Sequence, residues 1–484
     1  MQNNNKIPAT SRSGVFKNFI DDSGIDGLVK YDTLTDMWED VKERFSDCLA
    51  VQDNLNKYTY RELDLAVGKA RLVLSQNGVK KGERVGVFIN TCTDFAVWYL
   101  AVVTLSATAV IIPDYYSDDE LSWAVNRFGL NIVLTTAKLA PKLDLFDGLT
   151  VLTSFDIAGY KPSVKAQKED VVTIIFTGGV SGKLKGALLS SGAIAQGALN
   201  GCLGLKEVFN QRYFLVLPLS HVFGLIRNFL SPIYVGGAVY FCSNMATLYK
   251  SIPAFAPSYL VLVPALAEMI LKLATRFGAK ILGTNLKYII CGGSAVSPEI
   301  VNGFNAYGIS VYPGYGLTES SNLVSGNYDS INRPTSVGLP FFNQQLKIVD
   351  GELLLKGDNL FSGYFDEPEE NLSAFSDGYF KTGDLVRVDD EGYIYITGRK
   401  KNIIILSNGE NVTPSTIEDV FKKLDFVENA IAYEDVDEQN NSILALKILP
   451  RKGISLTKEE VFNEVNKLNN AQVSHKRATK IIIE

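Results

Sequence analysis

The chain has 484 residues, 46% of them hydrophobic and 21% charged, which suits a globular protein and excludes a disordered one. That length exceeds what one ordinary core supports, so two or more folding units are expected. The formal net charge of −6 gives no basic surplus for nucleic acid or for an anionic membrane surface.

The chain opens on a polar stretch, MQNNNKIPATSRSG, without the apolar core of a signal peptide, and residues 1–30 read as a flexible tail. The five cysteines, Cys48, Cys92, Cys202, Cys242 and Cys291, are scattered and form no CxxC pair. They argue against a disulfide scaffold or a zinc site and suit a reducing cytoplasm. From about residue 58, short apolar runs alternate with amphipathic stretches. Strands are expected at 83–90, 109–113, 131–136, 171–177, 213–219, 238–242, 259–264 and 286–293, with helices between most of them. Such alternation predicts parallel sheets covered by helices, which bind ligands at the carboxyl ends of their strands. The uncharged run from Ala96 to Pro113 is short for a membrane span. Its β-branched end predicts a buried helix turning into a buried parallel strand.

After about residue 335 the pattern changes. Asp350-Gly351 between two apolar runs signals a hairpin, and Asp389-Asp390-Glu391-Gly392 signals a second. The last eighty or so residues predict a helix after Thr413-Pro414, a strand pair and a further helix. The expected fold class is therefore α/β. A large N-terminal domain of parallel-rich sheets with helices (31–398) includes a small antiparallel β unit (335–398), and a small α+β C-terminal domain follows (399–484).

Five motifs carry chemistry. Phe176-Thr177-Gly178-Gly179-Val180-Ser181-Gly182-Lys183-Leu184-Lys185-Gly186 follows a strand. Its glycines free backbone N–H groups for phosphate oxygens and its lysines add charge, although a tight strand-to-strand turn explains it as well. It is not a Walker A loop, because Leu184 stands where that loop needs Ser or Thr. His221, one of two histidines, lies in LPLSHVFG and either orients a carboxylate or proton or is a hydrogen-bonded structural residue. Tyr315-Gly316-Leu317-Thr318-Glu319-Ser320, preceded by CGGSAVSPE at 291–299, offers Thr318 to a phosphate and Glu319 to Mg²⁺; capping of a helix start is the alternative. Asp384 in YFKTGDL suits the two hydroxyls of a ribose or a turn. Arg399 in GRKK suits phosphate or a solvated face.

Taken in order, these motifs resemble the adenylate-forming superfamily of acyl-CoA synthetases, luciferases and peptide-synthetase adenylation domains. The likeness runs from about Tyr58 to the last residue and includes YTYREL (58–63), KGERVGV (81–87), SVGLP (336–340) and Gly351-Glu352-Leu353 leading to Gly363-Tyr364-Phe365. The resemblance implies that Thr177, Gly178, Gly179, Ser181, Gly182 and Lys185 grip the terminal phosphates of ATP. It implies that Gly292, Gly293, Ser294 and Ala295 form the adenine-side loop, with Tyr315 and Gly316 beside the base. Thr318 then contacts the α-phosphate, Glu319 holds the metal, and Asp384 and Arg399 fix the ribose. Lys401 would be the hinge of a rotating C-terminal lid, and Gly409, in Ser407–Asn411, would line a pantetheine tunnel. Gly178, Val180 and Leu184 depart from the usual family loop and remove two hydroxyl donors. The chain ends at Glu484, and the lid reads as cut off before a Gly-Lys segment that such enzymes carry.

The implied activity is activation of a fatty or aryl acid by Mg·ATP to an acyl-adenylate, then transfer to CoA or a carrier-bound pantetheine. ATP, Mg²⁺, CoA, the acid and an acyl carrier protein are thus the expected cofactors and partners. An acyl-AMP ligase that loads a carrier, and a non-catalytic nucleotide-binding relative, are the alternatives.

Overall fold

The computed structural model describes residues 6–7, 28–178, 184–203, 205, 207–400, 404–405, 411–412, 414–437, 442–451, 453–472 and 477–484. Two compact units emerge. One gathers Pro8–Leu346 with Lys356–Phe380, and the other gathers Met1–Ile7, Lys347–Leu355 and Lys381–Glu484.

The larger unit holds two sheets. In the first, Thr150–Leu152, Ile132–Thr135, Arg84–Phe88, Thr108–Ile111 and Val171–Gly178 run parallel, and Leu184–Ser190 closes the edge antiparallel to Val171–Gly178. In the second, the parallel strands Leu49–Gln52, Ala238–Phe241, Arg212–Leu215, Tyr259–Leu262, Tyr288–Cys291 and Ser310–Leu317 lie side by side. Asn322–Gly326 and Leu339–Pro340 extend the last of these antiparallel, and Lys57–Thr59 closes the other edge. All eight expected strands form with ends no more than four residues from those predicted. The parallel strands are buried along nearly their whole length, so they read as continuous apolar runs rather than alternating ones.

Helices start where the sequence supplies donors' partners. Tyr60–Gln76 and Asp118–Arg127 each begin with a capping box, Thr59 with Glu62 and Ser117 with Glu120. The uncharged segment expected to turn from helix to strand does so. Helix Thr93–Thr104 is buried around nearly its whole circumference, and Thr108–Ile111 pairs into the first sheet. Among the described residues, no helix is long and apolar enough to cross a membrane.

The smaller unit is built on a sheet that includes Glu352–Lys356, Tyr379–Val388 and Ile394–Arg399. Both expected hairpins form there. Asp350 and Gly351 take positive φ at the first turn, and Gly392 does at the second. Further along, helix Pro414–Phe421 precedes the antiparallel pair Val427–Val436 and Ser442–Pro450. Helix Lys458–Asn470 is capped by Thr457 and Glu460. The sequence reading missed a last strand, Lys480–Ile483, which adds parallel to Ser442–Pro450. Its three isoleucines form too short a run to announce itself by periodicity. Gly179, Val180, Ser181, Gly182 and Lys183 of the Gly-rich loop, Lys401, and Ser407 to Glu410 with Gly409 among them lie outside the described residues, as does most of the N-terminal stretch.

Candidate active site

In the second sheet of the larger unit, neighbouring parallel strands bring their carboxyl ends to one edge. Cys291 stands opposite Pro313 in register, so Gly292 and Gly293 come beside Gly314 and Tyr315. Gly292 permits this approach: a Cβ there would lie 2.9 Å from the Gly314 carbonyl oxygen. Gly293 has φ +84°, and with Ser294 and Ala295 it forms an exposed loop. Strand Arg212–Leu215 belongs to the same parallel set, and His221 follows its carboxyl end. An edge of this kind is where open α/β sheets place their ligands. The structure therefore gathers His221, Gly292–Ala295 and Tyr315–Glu319 along one rim.

His221 is solvent-accessible, yet dehydration by the crowded loop around it lowers its imidazole pKa below the usual value. Its carbonyl receives the Leu225 N–H at 2.8 Å, leading into a π-helix, Phe223–Leu230. Wide turns of this kind are uncommon and recur at functional sites.

Tyr315 and Gly316 lie at a bulge where strand Ser310–Leu317 pairs with Asn322–Gly326. Bulges re-aim side chains next to sites. Thr318–Ser320 forms a single tight helical turn, so the capping alternative for this motif reduces to a local turn: Ser320 Oγ accepts the Leu317 N–H at 2.9 Å. Glu319 is buried. Its Oε1 accepts a hydrogen bond from the Tyr364 hydroxyl at 2.7 Å, and its backbone carbonyl accepts the Phe361 N–H. Burial first, then the Glu319 charge, pushes the Tyr364 phenol far above its usual range, so it stays protonated and donates.

Tyr364 also connects Glu319 to the Gly-rich segment. Phe365 N–H and Ser362 N–H bond to the carbonyls of Gly186 and Leu188 on strand Leu184–Ser190. Lys185 lies on that strand, paired in register with Thr177. Its ammonium is buried, sits 5.4 Å from the Tyr364 ring centroid and pairs with Glu370. Lys185 and Glu319, 134 residues apart in sequence, thus meet on either side of one tyrosine. The flanking strands form a hairpin, and the loop residues expected to bind phosphate, Gly179, Ser181 and Gly182, lie outside the described residues. Tyr364 and Glu370 were not identified as site residues from the sequence. Gly363-Tyr364-Phe365 entered only as a landmark, and an acid in DEPEE carries no motif.

In the smaller unit Asp384 is buried and pairs through Oδ1 with Arg399 Nε at 2.8 Å, directly across the strand pair. Glu352 sits beside them, accepting from the Gly383 N–H and from Lys400 Nζ, each at 2.9 Å.

The donor set suits Mg²⁺ held partly by a nucleotide. Among the described residues no group of three or more His, Cys, Asp or Glu forms a protein cage. Mg²⁺ commonly binds instead through one or two carboxylates plus substrate phosphates, and Glu319 is the carboxylate the sequence offers for it.

Known proteins are similar to the chain in sequence and in fold. A 2-succinylbenzoate–CoA ligase from Geobacillus is 26% identical over 430 residues, covering 85% of this chain and 86% of that protein. The medium-chain fatty-acid–CoA ligase of Escherichia coli is 25% identical, covering 89% and 83%. Among solved structures, the Bacillus subtilis o-succinylbenzoate CoA synthetase in complex with its acyl-adenylate intermediate superposes with a TM-score of 0.80 at 21% identity, covering 93% of this chain and 94% of that one. ATP-bound MatB from Rhodopseudomonas palustris reaches 0.82 at 23% identity, covering 93% and 95%. Residues 38–365, which carry the Gly-rich hairpin, the strand-edge rim and Tyr364, match the model for the AMP-binding enzyme, and the chain belongs to that family.

Proposed function

We propose that this chain is an ATP-dependent acid–thiol ligase that converts a fatty or aryl carboxylic acid to an acyl-adenylate and then to a thioester. The observation that carries this reading is the joining of Lys185 and Glu319 through Tyr364. One cation for phosphate and one carboxylate for Mg²⁺ are what phosphate displacement requires, because that chemistry depends on positioning and charge neutralisation. Mg²⁺ at Glu319 would supply neutralisation of the phosphate oxygens. Glu370 neutralises Lys185 in the structure, and the triphosphate would take its place.

In the first half-reaction a carboxylate oxygen of the substrate attacks the α-phosphorus, and the bond to the β-phosphate oxygen breaks to release pyrophosphate. Thr318 is assigned to the α-phosphate, and Tyr315 with Gly292–Ala295 to adenine. Asp384 and Arg399 are assigned to ribose, and Thr177 with the Gly-rich loop to the terminal phosphates. In the second, a thiol sulfur attacks the acyl carbon, and the bond to the adenylate oxygen breaks to release AMP. His221, at the rim, is assigned to the acyl side. The relatives named as CoA ligases favour CoA as the thiol; a pantetheinylated carrier is the alternative acceptor. A domain boundary near Arg399, with residues 399–484 as a lid, belongs to the same proposal, as does a cytoplasmic setting.

Product analysis tests this reading. Incubation with ATP, Mg²⁺, a panel of acids and either CoA or a loaded carrier is expected to give AMP and acyl-CoA in equal amounts. A thioester only on the carrier would assign the other acceptor. Nucleotide binding without AMP formation for any acid would leave a binding protein instead.

A further inference from the structure

Lys185 keeps its ammonium largely out of water. Its side chain is 7% exposed, and the ring centroid of Tyr364 lies 5.4 Å from Nζ. A buried charge is costly unless it is paired. Among the described residues its ion-pair partner is Glu370. Two other acids of the same segment are engaged elsewhere, since Arg127 holds Asp366 at 2.7 Å and Glu367 at 3.1 Å.

The two sides of this pair are held very differently. Lys185 stands within strand Leu184–Ser190. Tyr364 beside it is fixed by a bridge to Ala187. The Tyr364 N–H also donates to Asn371 Oδ1 at 2.7 Å, and its carbonyl accepts from Asn371 Nδ2 at 2.8 Å. Glu370 instead stands on the short helix Pro368–Ala374, none of whose residues is buried, and its side chain is 39% exposed. Rotation about its own side-chain bonds carries the carboxylate into water without moving the backbone, while the ammonium stays beside Tyr364.

We propose that Glu370 is a positioning residue that serves Lys185 as an exchangeable counter-ion: it yields the ammonium to the terminal phosphates of ATP and reclaims it as pyrophosphate leaves. The assignment rests on the ligase reading and on giving Lys185 to those phosphates, and it names what limits the affinity for them. In the empty site the carboxylate keeps the buried cation neutral and in place. An entering triphosphate exchanges one ion pair for another, so it gains only the difference between them. AMP has no β- or γ-phosphate and needs no exchange. Binding of ATP and pyrophosphate is thereby held weak relative to AMP, which favours departure of pyrophosphate while the adenylate is retained.

Calorimetric titration of the whole protein with ATP, pyrophosphate and AMP, each with Mg²⁺ and without acid, tests this. In Glu370→Gln, ATP and pyrophosphate are expected to bind about threefold tighter or more, the scale of one partly exposed ion pair, with AMP unchanged. Glu370→Asp, which keeps the charge on a shorter arm, should fall between. A merely structural role would alter all three ligands together. An ATP-to-AMP affinity ratio in folded Glu370→Gln equal to or below that of the unaltered protein would overturn the assignment, and so would equal gains for all three ligands. The ligase reading would survive either result, provided the unaltered protein still exchanges labelled pyrophosphate into ATP when an acid is present. Should Glu370→Gln fail to fold, the same ratio in Glu370→Asp decides. An unaltered protein that binds neither ATP nor pyrophosphate would remove the ligase reading and this assignment with it.

Discussion

Glu319 reaches its position through a tyrosine that the rest of the chain delivers. The Tyr364 hydroxyl donates to Glu319 Oε1 at 2.7 Å, while its ring lies under the Lys185 ammonium. Tyr364→Phe removes the first contact and keeps the second. A hydrogen bond to a charged acceptor contributes about 1.5–3 kcal/mol, so the variant is expected to lose about tenfold or more in pyrophosphate exchange. The same contact supports the fold, so exchange is compared at a temperature where the variant is fully folded, and an unchanged exchange rate would show that Tyr364 does not position Glu319. His221 makes a different prediction. Dehydration holds its folded-state pKa below the unfolded value, so the unfolded chain binds the proton more readily. His221 therefore costs no stability above the unfolded pKa, near 6.5. Stability then declines as pH falls through that value toward the folded one, and levels off below it. Thermal melts between pH 7 and 5 should accordingly fall more steeply for the unaltered protein than for His221→Gln, and parallel slopes would contradict this. The candidate site residues offered by the sequence could be named because they stand in ordered motifs. Tyr364 and Glu370 could not be named, since their contacts are made across 45 or more residues.

At the scale of elements, the strand edge that carries Tyr315 through Glu319 depends on close backbone approach. A Cβ on Gly316 would lie 2.2 Å from the Asn322 carbonyl oxygen. Backbone cannot swing aside as a side-chain end can, so strand pair Ser310–Leu317 and Asn322–Gly326 would have to part. Gly316→Ala is expected to cost about 1–3 kcal/mol, as overpacking does, read as a lower denaturant midpoint. It should also displace Thr318 and Glu319 and so lower exchange further than the stability loss explains. A variant as stable and active as the unaltered chain would refute this placement. Strands and hairpins here were readable because apolar runs, Asp-Gly and Gly392 mark them locally. The π-helix Phe223–Leu230 was not, because its wide turns leave the same apolar composition as an α-helix. The Gly-rich segment left two readings open, and both survive at this scale. Its flanks form a strand-to-strand hairpin, and Lys185 on that hairpin faces the site.

For the molecule as a whole, strand–helix alternation announced the α/β class, because parallel strands buried on both faces must be written as apolar runs. The grouping of Lys347–Leu355 with Lys381–Glu484 was not readable, since it depends on which strands pair and not on local pattern. The sequence break near residue 335 instead precedes the sheet that includes Glu352–Lys356, Tyr379–Val388 and Ile394–Arg399. Family membership follows from the match over residues 38–365, and the chemistry proposed here follows from the Lys185–Tyr364–Glu319 arrangement within that span. The most direct test is acid-dependent exchange of labelled pyrophosphate into ATP, compared between the unaltered protein and Glu319→Gln. The unaltered protein should exchange label only when a carboxylic acid is present, and Glu319→Gln should lose about a hundredfold or more, the scale on which removing one charge-stabilising group acts. Exchange without acid, or a Glu319→Gln variant as active as the unaltered chain, would contradict adenylate formation at this site.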